Sequence, residues 1–522
     1  MDTYLMRSGG NLACRCVYPS SLFAYVLCVT GLWTFVPTLK GASAGDNHAR
    51  TPQPTPSIVN YVKLYNQTFG RGVTTQNNAI IPILILGRPD SLELSKYTFA
   101  NNTPVSVPLP NSRARFCRAL GMTQKDLSGP RYLQFNIYCQ LNRQGLLVGS
   151  GHHARLIPKI PYYINTRFII KPWGEKLNPW LATWLHINGK VLDEVVDASR
   201  RPRFFVPIVP WHTNSKSINV MINDLNKPFG LIMDMAHSLE ARAMLELRHG
   251  QISRCESDLL AVHRFSELVT QEHTLIAALV GNAIGLPPCS ADVSLADSGK
   301  LSTIEALAYL KRLHDLPRTI PLAEVENTTS RWESASILRQ CETHRKLTAW
   351  LVKSKYLPAE ALHWKAVQFQ DAILEINSLQ NHLVGIYRIG NQIRRAQDFA
   401  VACAKWKKSS ISIEQGFATM VWQNRFVLAA VAWRTAYQRL VYLALALAAY
   451  RSVHGAFPAS LASLVPNYLR QLPHDPFTGK PFTYTNGPHG CKLSSTRHFS
   501  PTIFPRSKMH NSRPIVVQLH SH

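Results

Sequence analysis

The groups in this chain that could do chemistry are its histidines, carboxylates, cysteines and a few clustered cations, and spacing limits what each can be. His152 and His153 follow Gly151 directly. Adjacent side chains point apart on regular structure, so this pair alone does not make a metal site. His237 and His249 stand twelve residues apart, and His263 and His273 ten. Neither pair has the i, i+4 spacing that puts two imidazoles on one helix face. These four therefore read as hydrogen-bonded structural histidines. Glu240 with Glu246, and Glu256 with Asp258, could be drawn as acid/base pairs. With Arg242, Arg248 and Arg254 beside them they read instead as ion pairs on a solvated helix face. Of ten cysteines, seven lie beyond residue 44: Cys117, Cys139, Cys255, Cys289, Cys341, Cys403 and Cys491. No two are spaced as CxxC and their number is odd, which speaks against a structural zinc site and a disulfide framework. Cys255, Cys341 and Cys403 fall on helical patterns and read as small apolar groups. There is no GxGxxG, Walker loop, HExxH or GxSxG, so phosphate cradles, zinc helices and nucleophile elbows have no local signature. No catalytic, metal or cofactor-binding residue is assigned on this basis, and no cofactor is expected.

The cations are more numerous. Lys and Arg total 57 against 31 Asp and Glu, a formal charge of +26, which favours anionic partners. They cluster at Arg200, Arg201 and Arg203 before Phe204-Phe205, at Arg394-Arg395, and at Lys405, Lys407 and Lys408 around Trp406. These eight are the candidate contacts to an anionic partner. Cations interleaved with aromatics also suit nucleic acid, but the N-terminus argues for another compartment. Arg7 and Arg15 precede an apolar run at 22–36, closed by Pro37 and followed by Ala42-Ser43-Ala44. A positive region, an apolar region and a small-residue site make a secretory signal, or a retained anchor. The bulk of the chain is then expected to be exported across, or anchored in, the cytoplasmic membrane and to face its far side. Its expected partners are envelope proteins or anionic envelope components, with membrane association through the N-terminal segment and nucleic acid not expected.

The elements that would position these groups are mostly helical. With 46% hydrophobic residues the chain can bury a large core, which excludes wholesale disorder. Asn178-Pro179 opens a helix with Pro at its first position, running to about residue 197. Residues 230–250 and 251–285 read as consecutive helices broken at His249-Gly250, a tetratricopeptide-like hairpin in which Ala241 and Ala243 permit close approach. No 34-residue period repeats it. Ser302-x-x-Glu305 is a capping box opening a helix at 303–314. Pro82 makes one uninterrupted helix through AIIPILIL doubtful. Further helices are expected over 328–353, 358–406 and 412–450. The Ala- and Leu-rich run 427–450 is broken by Arg434, Gln438 and Arg439, too polar for a membrane span, and is stopped by His454-Gly455. A short helix at 460–469 and turns at Asp475-Pro476 and Thr478-Gly479 follow.

Two resemblances attach to these stretches. Tyr450, Arg451, His454, Gly455, Phe457, Pro458, Ser460, Leu461 and Leu464, followed by Asp475, Pro476, Phe477, Gly479, Pro481 and Tyr484, resemble the C-terminal part of type II secretion pseudopilins. The processing motif that heads a pseudopilin helix is lacking before residue 427, so the resemblance implies a borrowed or convergent module and not a pilus subunit. The segments at 178–210, 239–269 and 475–481 resemble uncharacterised envelope proteins of planctomycete-type bacteria. That likeness implies architecture and location but no chemistry.

The sequence thus describes a mainly α protein: a helical-hairpin, tetratricopeptide-like core, a less regular N-terminal region and a small α+β cap. Its expected parts are a signal or anchor (1–44), a linker (45–56), a mixed N-terminal domain (57–220), a helical domain (221–427), a pseudopilin-like module (428–490) and a basic, disordered tail (491–522). The expected function is a non-catalytic exported or membrane-anchored scaffold or interaction protein of the cell envelope. The alternatives are an envelope hydrolase whose site is assembled from distant residues, two or more of Asp234, Glu240, His237 and His263 in one pocket, and a secretion-system accessory protein.

Overall fold

A computed structural model describes residues 60–87, 95–100, 103–108, 112–123, 166–209, 220–343, 345–495 and 515–521. The signal or anchor, the linker and His152-His153 lie outside these residues. In chain order the elements are α1 (Tyr61–Phe69), α2 (Ile80–Leu86), β1 (Ser95–Ala100), β2 (Thr103–Pro108), α3 (Ser112–Ala119), α4 (Thr166–Ile170), α5 (Pro179–Ile187) and α6 (Gly189–Ala198). The long helices follow: α7 (Val220–His249), α8 (Ile252–Val269), α9 (Leu275–Asp297) and α10 (Thr303–His314). A second group comprises α11 (Leu322–Val325), α12 (Arg331–Cys341), α13 (Arg345–Lys353), α14 (Ala366–Tyr387), α15 (Gln392–Lys407) and α16 (Ser412–Val421). Then α17 (Arg425–His454) leads to β3 (Thr483–Gly487), β4 (Gly490–Ser494) and β5 (Val516–His520).

The protein is mainly helical, as its composition and periodicity indicate. Helices α7 and α8 form a hairpin that turns at Gly250, where φ is +76°. A second turn through Thr270–Glu272 brings α9 back against α8. Helix α17 lies across α9 and α10 and completes this core. Close approach explains two glycines of α9. A Cβ on Gly281 would stand 2.7 Å from the Ser266 carbonyl oxygen, and one on Gly285 2.5 Å from both Arg434 Nε and Ser266 Oγ. One continuous apolar cluster runs from Val62 to Leu519, so the three folded segments expected from the sequence share a single core.

Several local expectations hold. Ser302 and Glu305 cap α10 reciprocally, with Ser302 N donating to Glu305 Oε2 at 2.9 Å and Glu305 N to Ser302 Oγ at 3.2 Å. Helix α17 ends at Gly455 in the left-handed conformation, its N–H donating to the Arg451 carbonyl at 2.8 Å. The Asp475-Pro476 turn is built by its own side chain: Asp475 Oδ1 accepts from Phe477 N at 2.9 Å and Oδ2 from Ser495 Oγ at 2.8 Å.

Others are corrected. Pro82 does not interrupt α2, because it sits in the first turn, where its missing N–H had no intrahelical partner to lose. The single helix expected over 251–285 is two: α8 ends at Val269, the chain turns through Thr270–Glu272 and left-handed His273, and α9 starts at Leu275 and runs on through Pro287 and Pro288 to Asp297, packed against α8 and α17. The short helix expected at 460–469 is only a 3₁₀ turn, Leu461–Leu464, since Val465 precedes Pro466 and is extended. The tail expected to be disordered from 491 supplies two of the three strands of an antiparallel sheet ordered β3-β4-β5. Its edge β5 is tied to α9, with His520 N donating to Asp297 Oδ1 at 2.6 Å and His520 Nδ1 lying 2.8 Å from Oδ2.

Candidate functional site

Two places bring polar groups together: a sealed centre between the long helices and an open groove on the second helical group. In the centre, α8 presents His263, Ser266 and Glu267, and α9 presents Cys289 and Asp292. The latter pair, three residues apart, share one helix face. Tyr309 comes from α10, Glu240 from α7 and Arg434 from α17. His263 Nε2 lies 2.8 Å from Asp292 Oδ2, while the Tyr309 hydroxyl donates to Asp292 Oδ1 at 2.7 Å. The Cys289 thiol donates to the Gly285 carbonyl at 3.2 Å, and Ser266 Oγ to the Gly281 carbonyl at 2.6 Å. Glu267 and Arg434 form a buried ion pair across α8 and α17.

Glu240 stands apart. It is 0% exposed, and neither carboxylate oxygen has a hydrogen-bond partner. Burial, and then the negative charge of Asp292, hold its carboxyl well above the usual carboxylate range. The same two causes raise the Tyr309 phenol and the Cys289 thiol. Donor atoms of His263, Cys289 and Asp292 all fall within 4.8 Å of one another. A histidine, a carboxylate and a phenol in hydrogen-bonded series would serve general acid/base chemistry in a cleft. Here His263 is 2% exposed and Asp292 0%, so no substrate meets them in this packing.

The histidines and carboxylates singled out from the sequence are thus divided. Glu240 and His263 converge on Asp292. Among the described residues, Asp234 and His237 make no hydrogen bond or ion pair from their side chains to that centre; burial moves Asp234 up to about 7 and His237 down to about 4. His249 pairs with Glu175 at 3.0 Å, and His273 lies 3.4 Å from Glu324 with its ring stacked on Phe69. The face carrying Glu240, Glu256 and Asp258 is not solvated, as was expected, but buried. Asp258 takes a two-pronged bond from Arg242 at 2.8 and 2.7 Å, Glu256 pairs with Arg312, and Glu246 with Arg254 at 3.3 Å. The six described cysteines are all buried, and none forms a disulfide.

Nearer α1, Glu272 accepts from the Tyr65 hydroxyl at 2.6 Å and from Val206 N at 2.5 Å, and burial lifts it to about 8. This carboxyl clamps α1 and the extended stretch 203–209 to the α8–α9 turn. Around the π-helical turn Glu326–Ser330, burial raises Glu326 to about 7 and Glu333 to about 8.

The eight candidate cations serve different ends. Arg201 donates to the carbonyls of Thr75 at 2.7 Å and Asn78 at 3.0 Å, and Arg203 to that of Phe69 at 3.2 Å. Arg395 Nε donates to the Ile389 carbonyl at 2.8 Å. These three are used to fold the chain. Arg200 pairs with Asp197, and Arg394 lies 3.6 Å from Asp398. Lys405, Lys407 and Lys408 project into solvent from the end of α15, and no acidic partner engages them among the described residues. Beside them, α15 and α16 enclose a groove of about 500 Å³ floored by Ala400, Cys403, Ala404 and Ala418, walled by Trp422 and edged by Lys407.

The sequence reading did not anticipate Cys289, Asp292 or Tyr309. The one local signal was the Cys-x-x-Asp spacing at 289–292, which lies beyond residue 285, where the helix was expected to end. Among the described residues, α9 alone has the length and apolarity to cross a membrane, and 83% of its apolar window is buried in the fold, as in a core helix. No protein-family model, characterised protein or solved structure matches this chain.

Proposed function

We propose that the protein is a non-catalytic helical scaffold of the cell envelope, exported or membrane-anchored, that docks an acidic segment of a partner protein on the groove between α15 and α16. The observation that carries this reading is a contrast in access. The groups able to catalyse are closed in the core, whereas the open concavity is edged by Lys407, with Lys405 and Lys408 exposed on the same stretch and no acid paired with the three among the described residues. A groove of about 500 Å³ falls in the range that accepts a few side chains. Its small-residue floor admits an apolar side chain, and the cations of the last turn meet acidic residues on either side. The envelope location is supported by Arg7, Arg15, the apolar run at 22–36 and Ala42-Ser43-Ala44, together with the pseudopilin-like and planctomycete-type resemblances.

The test uses the full chain and a fluorescent peptide of alternating Glu and Leu, read by anisotropy. We expect binding that weakens with salt. Replacing Lys405, Lys407 and Lys408 together by Glu should weaken it by roughly tenfold or more, because the charge at the groove's edge and two exposed charges beside it are reversed. Unfolding should be unchanged within about 0.5 kcal/mol, as for other surface sites. Equal peptide binding by the variant, or binding only to vesicles of anionic lipid, overturns the docking site. Location is read by mass spectrometry of the protein's N-terminus in fractionated cells. A chain starting at Gly45 outside the cytoplasm, or an intact Met1 in the membrane, supports it; a soluble cytoplasmic protein overturns it.

A further inference from the structure

We propose that the outer edge of β3 docks an extended, acidic segment of a partner protein, which adds a fourth strand to the C-terminal sheet. The hydrogen-bond alternation within the sheet tells which groups are free. Ser495 N donates to the Ile515 carbonyl at 3.0 Å, so Cys491, Leu493 and Ser495 turn their main chain towards β5. Gly490, Lys492 and Ser494 then face β3, where they stand opposite Gly487, Thr485 and Thr483. Tyr484 and Asn486 are left with their N–H and C=O groups pointing away from β4. Among the described residues nothing bonds to these groups.

The opposite edge of the sheet is closed. By the same alternation His520 turns outward from β5, and there its N–H donates to Asp297 Oδ1 at 2.6 Å while its carbonyl accepts from the Arg451 guanidinium. Exposed edges are usually blunted by a charge or a proline in the strand itself, and the β3 sequence TYTNG carries neither. The strand is nonetheless held extended. The Tyr484 hydroxyl donates to the Pro458 carbonyl at 2.7 Å, and Asn486 Nδ2 to that of Phe457 at 3.1 Å. The edge is thus pre-formed for strand addition, with its main-chain donors and acceptors aimed at the incoming chain.

Charge selects the occupant. From Gly455 to His522 the sole acid is Asp475, which is 1% exposed and bonded to Phe477 N and the Ser495 hydroxyl. Lys480, just before β3, and Lys492, opposite Thr485, are exposed, and no acid is paired with either among the described residues. Joining β3 to the β3 of a second copy brings like charges together. An acidic strand meets the same cations with opposite sign. This surface is separate from the groove between α15 and α16.

The experiment uses the full chain and a fluorescent peptide of alternating Glu and Thr, read by anisotropy. Its Thr residues favour extended backbone, and it offers no large apolar side chain to the groove. We expect binding that weakens with salt. The same peptide N-methylated at each central residue keeps its charge but loses its donors, and it should bind roughly tenfold or more weakly. Asn486→Pro removes an outward N–H without removing a β3–β4 bond, and it should weaken the parent peptide by a similar factor. Should that variant not fold, Lys480→Glu with Lys492→Glu alters only exposed side chains and should show the same loss. Absence of binding, or equal binding of the N-methylated peptide, overturns strand addition. Binding that Asn486→Pro leaves unchanged and that substitution of Lys405, Lys407 and Lys408 abolishes assigns the peptide to the groove, and also overturns it. A chain that is dimeric in solution and monomeric as Asn486→Pro makes a second copy the occupant, and rejects the acidic partner.

Discussion

Glu267 and Glu240 lie in the same helical core, both almost wholly out of solvent, and they differ in what meets them. Glu267, at the contact of α8 with α17, has the Arg434 guanidinium. Glu240, at the contact of α7 with α9, has no hydrogen bond at all and a second carboxylate nearby. Glu256, like Glu267, pairs with an arginine yet keeps one oxygen without a partner, and Glu272 has a phenol and an amide but no cation. A buried charge is tolerated when it is paired and hydrogen-bonded. The first contact therefore pairs one carboxylate oxygen and leaves the other, Oε2, without a partner. The second leaves both oxygens unpaired, so burial is relieved by a cation at Glu267 and only by protonation at Glu240.

The comparison breaks most sharply at Arg434. Arg434→Met leaves Glu267 buried without its cation, and breaking a buried pair from one side costs about 3–5 kcal/mol. Urea unfolding should show that loss. Adding Glu267→Leu should recover most of it, since a well-packed apolar pair often matches a buried ion pair. A double variant as unstable as the single one would mean that Arg434 acts by packing and not by charge.

Gly285 sharpens the same contact at smaller scale. A Cβ there would meet Arg434 Nε and Ser266 Oγ at 2.5 Å, so Gly285→Ala must displace the guanidinium or separate α8 from α9. Overpacking of this kind costs about 1–3 kcal/mol, measurable as a lower melting temperature. In the Arg434→Met background much of the clash is removed, and the cost of the alanine should fall. An unchanged cost would place the strain at the Ser266 side.

The fold was largely legible because its signals are local. The capping box at Ser302 and Glu305, the Gly455 stop and the Asp475 turn each act over a few residues, and each is found where its pattern lies. The centre was not legible, because its members stand at 240, 263, 289, 292, 309 and 434 and meet only when five helices pack. The helix end expected at 285 was wrong for the same reason, since α9, buried in the core, runs on through Pro287 and Pro288. Residues 200–203 looked like a charged surface, but Arg201 and Arg203 serve backbone carbonyls because the chain beyond them is extended and buried. Strand β5 was missed because its pairing partner β4 lies more than twenty residues earlier, and strand pairing at that distance leaves no local period.

A pH-dependent version of the comparison concerns Glu272, which is hydrogen-bonded but has no cation. Its carboxyl has a folded value of about 8 against an ordinary 4.5, chiefly through burial. The folded chain therefore holds a proton that the unfolded chain releases between those values. The stabilisation is complete below about pH 4.5 and is lost as pH rises towards 8. Within that window this group contributes a slope of at most ~1.4 kcal/mol per pH unit. Glu272→Gln keeps an acceptor for Val206 N, and the Tyr65 hydroxyl retains the Glu272 backbone carbonyl at 3.2 Å. The variant should fold, and its stability should decline less steeply than wild type from pH 5 to 8. Denaturant unfolding at several pH values checks the difference between the two curves. Parallel curves would mean that Tyr65 and Val206 hold Glu272 ionised, and its hydrogen bonds would then do for it what Arg434 does for Glu267.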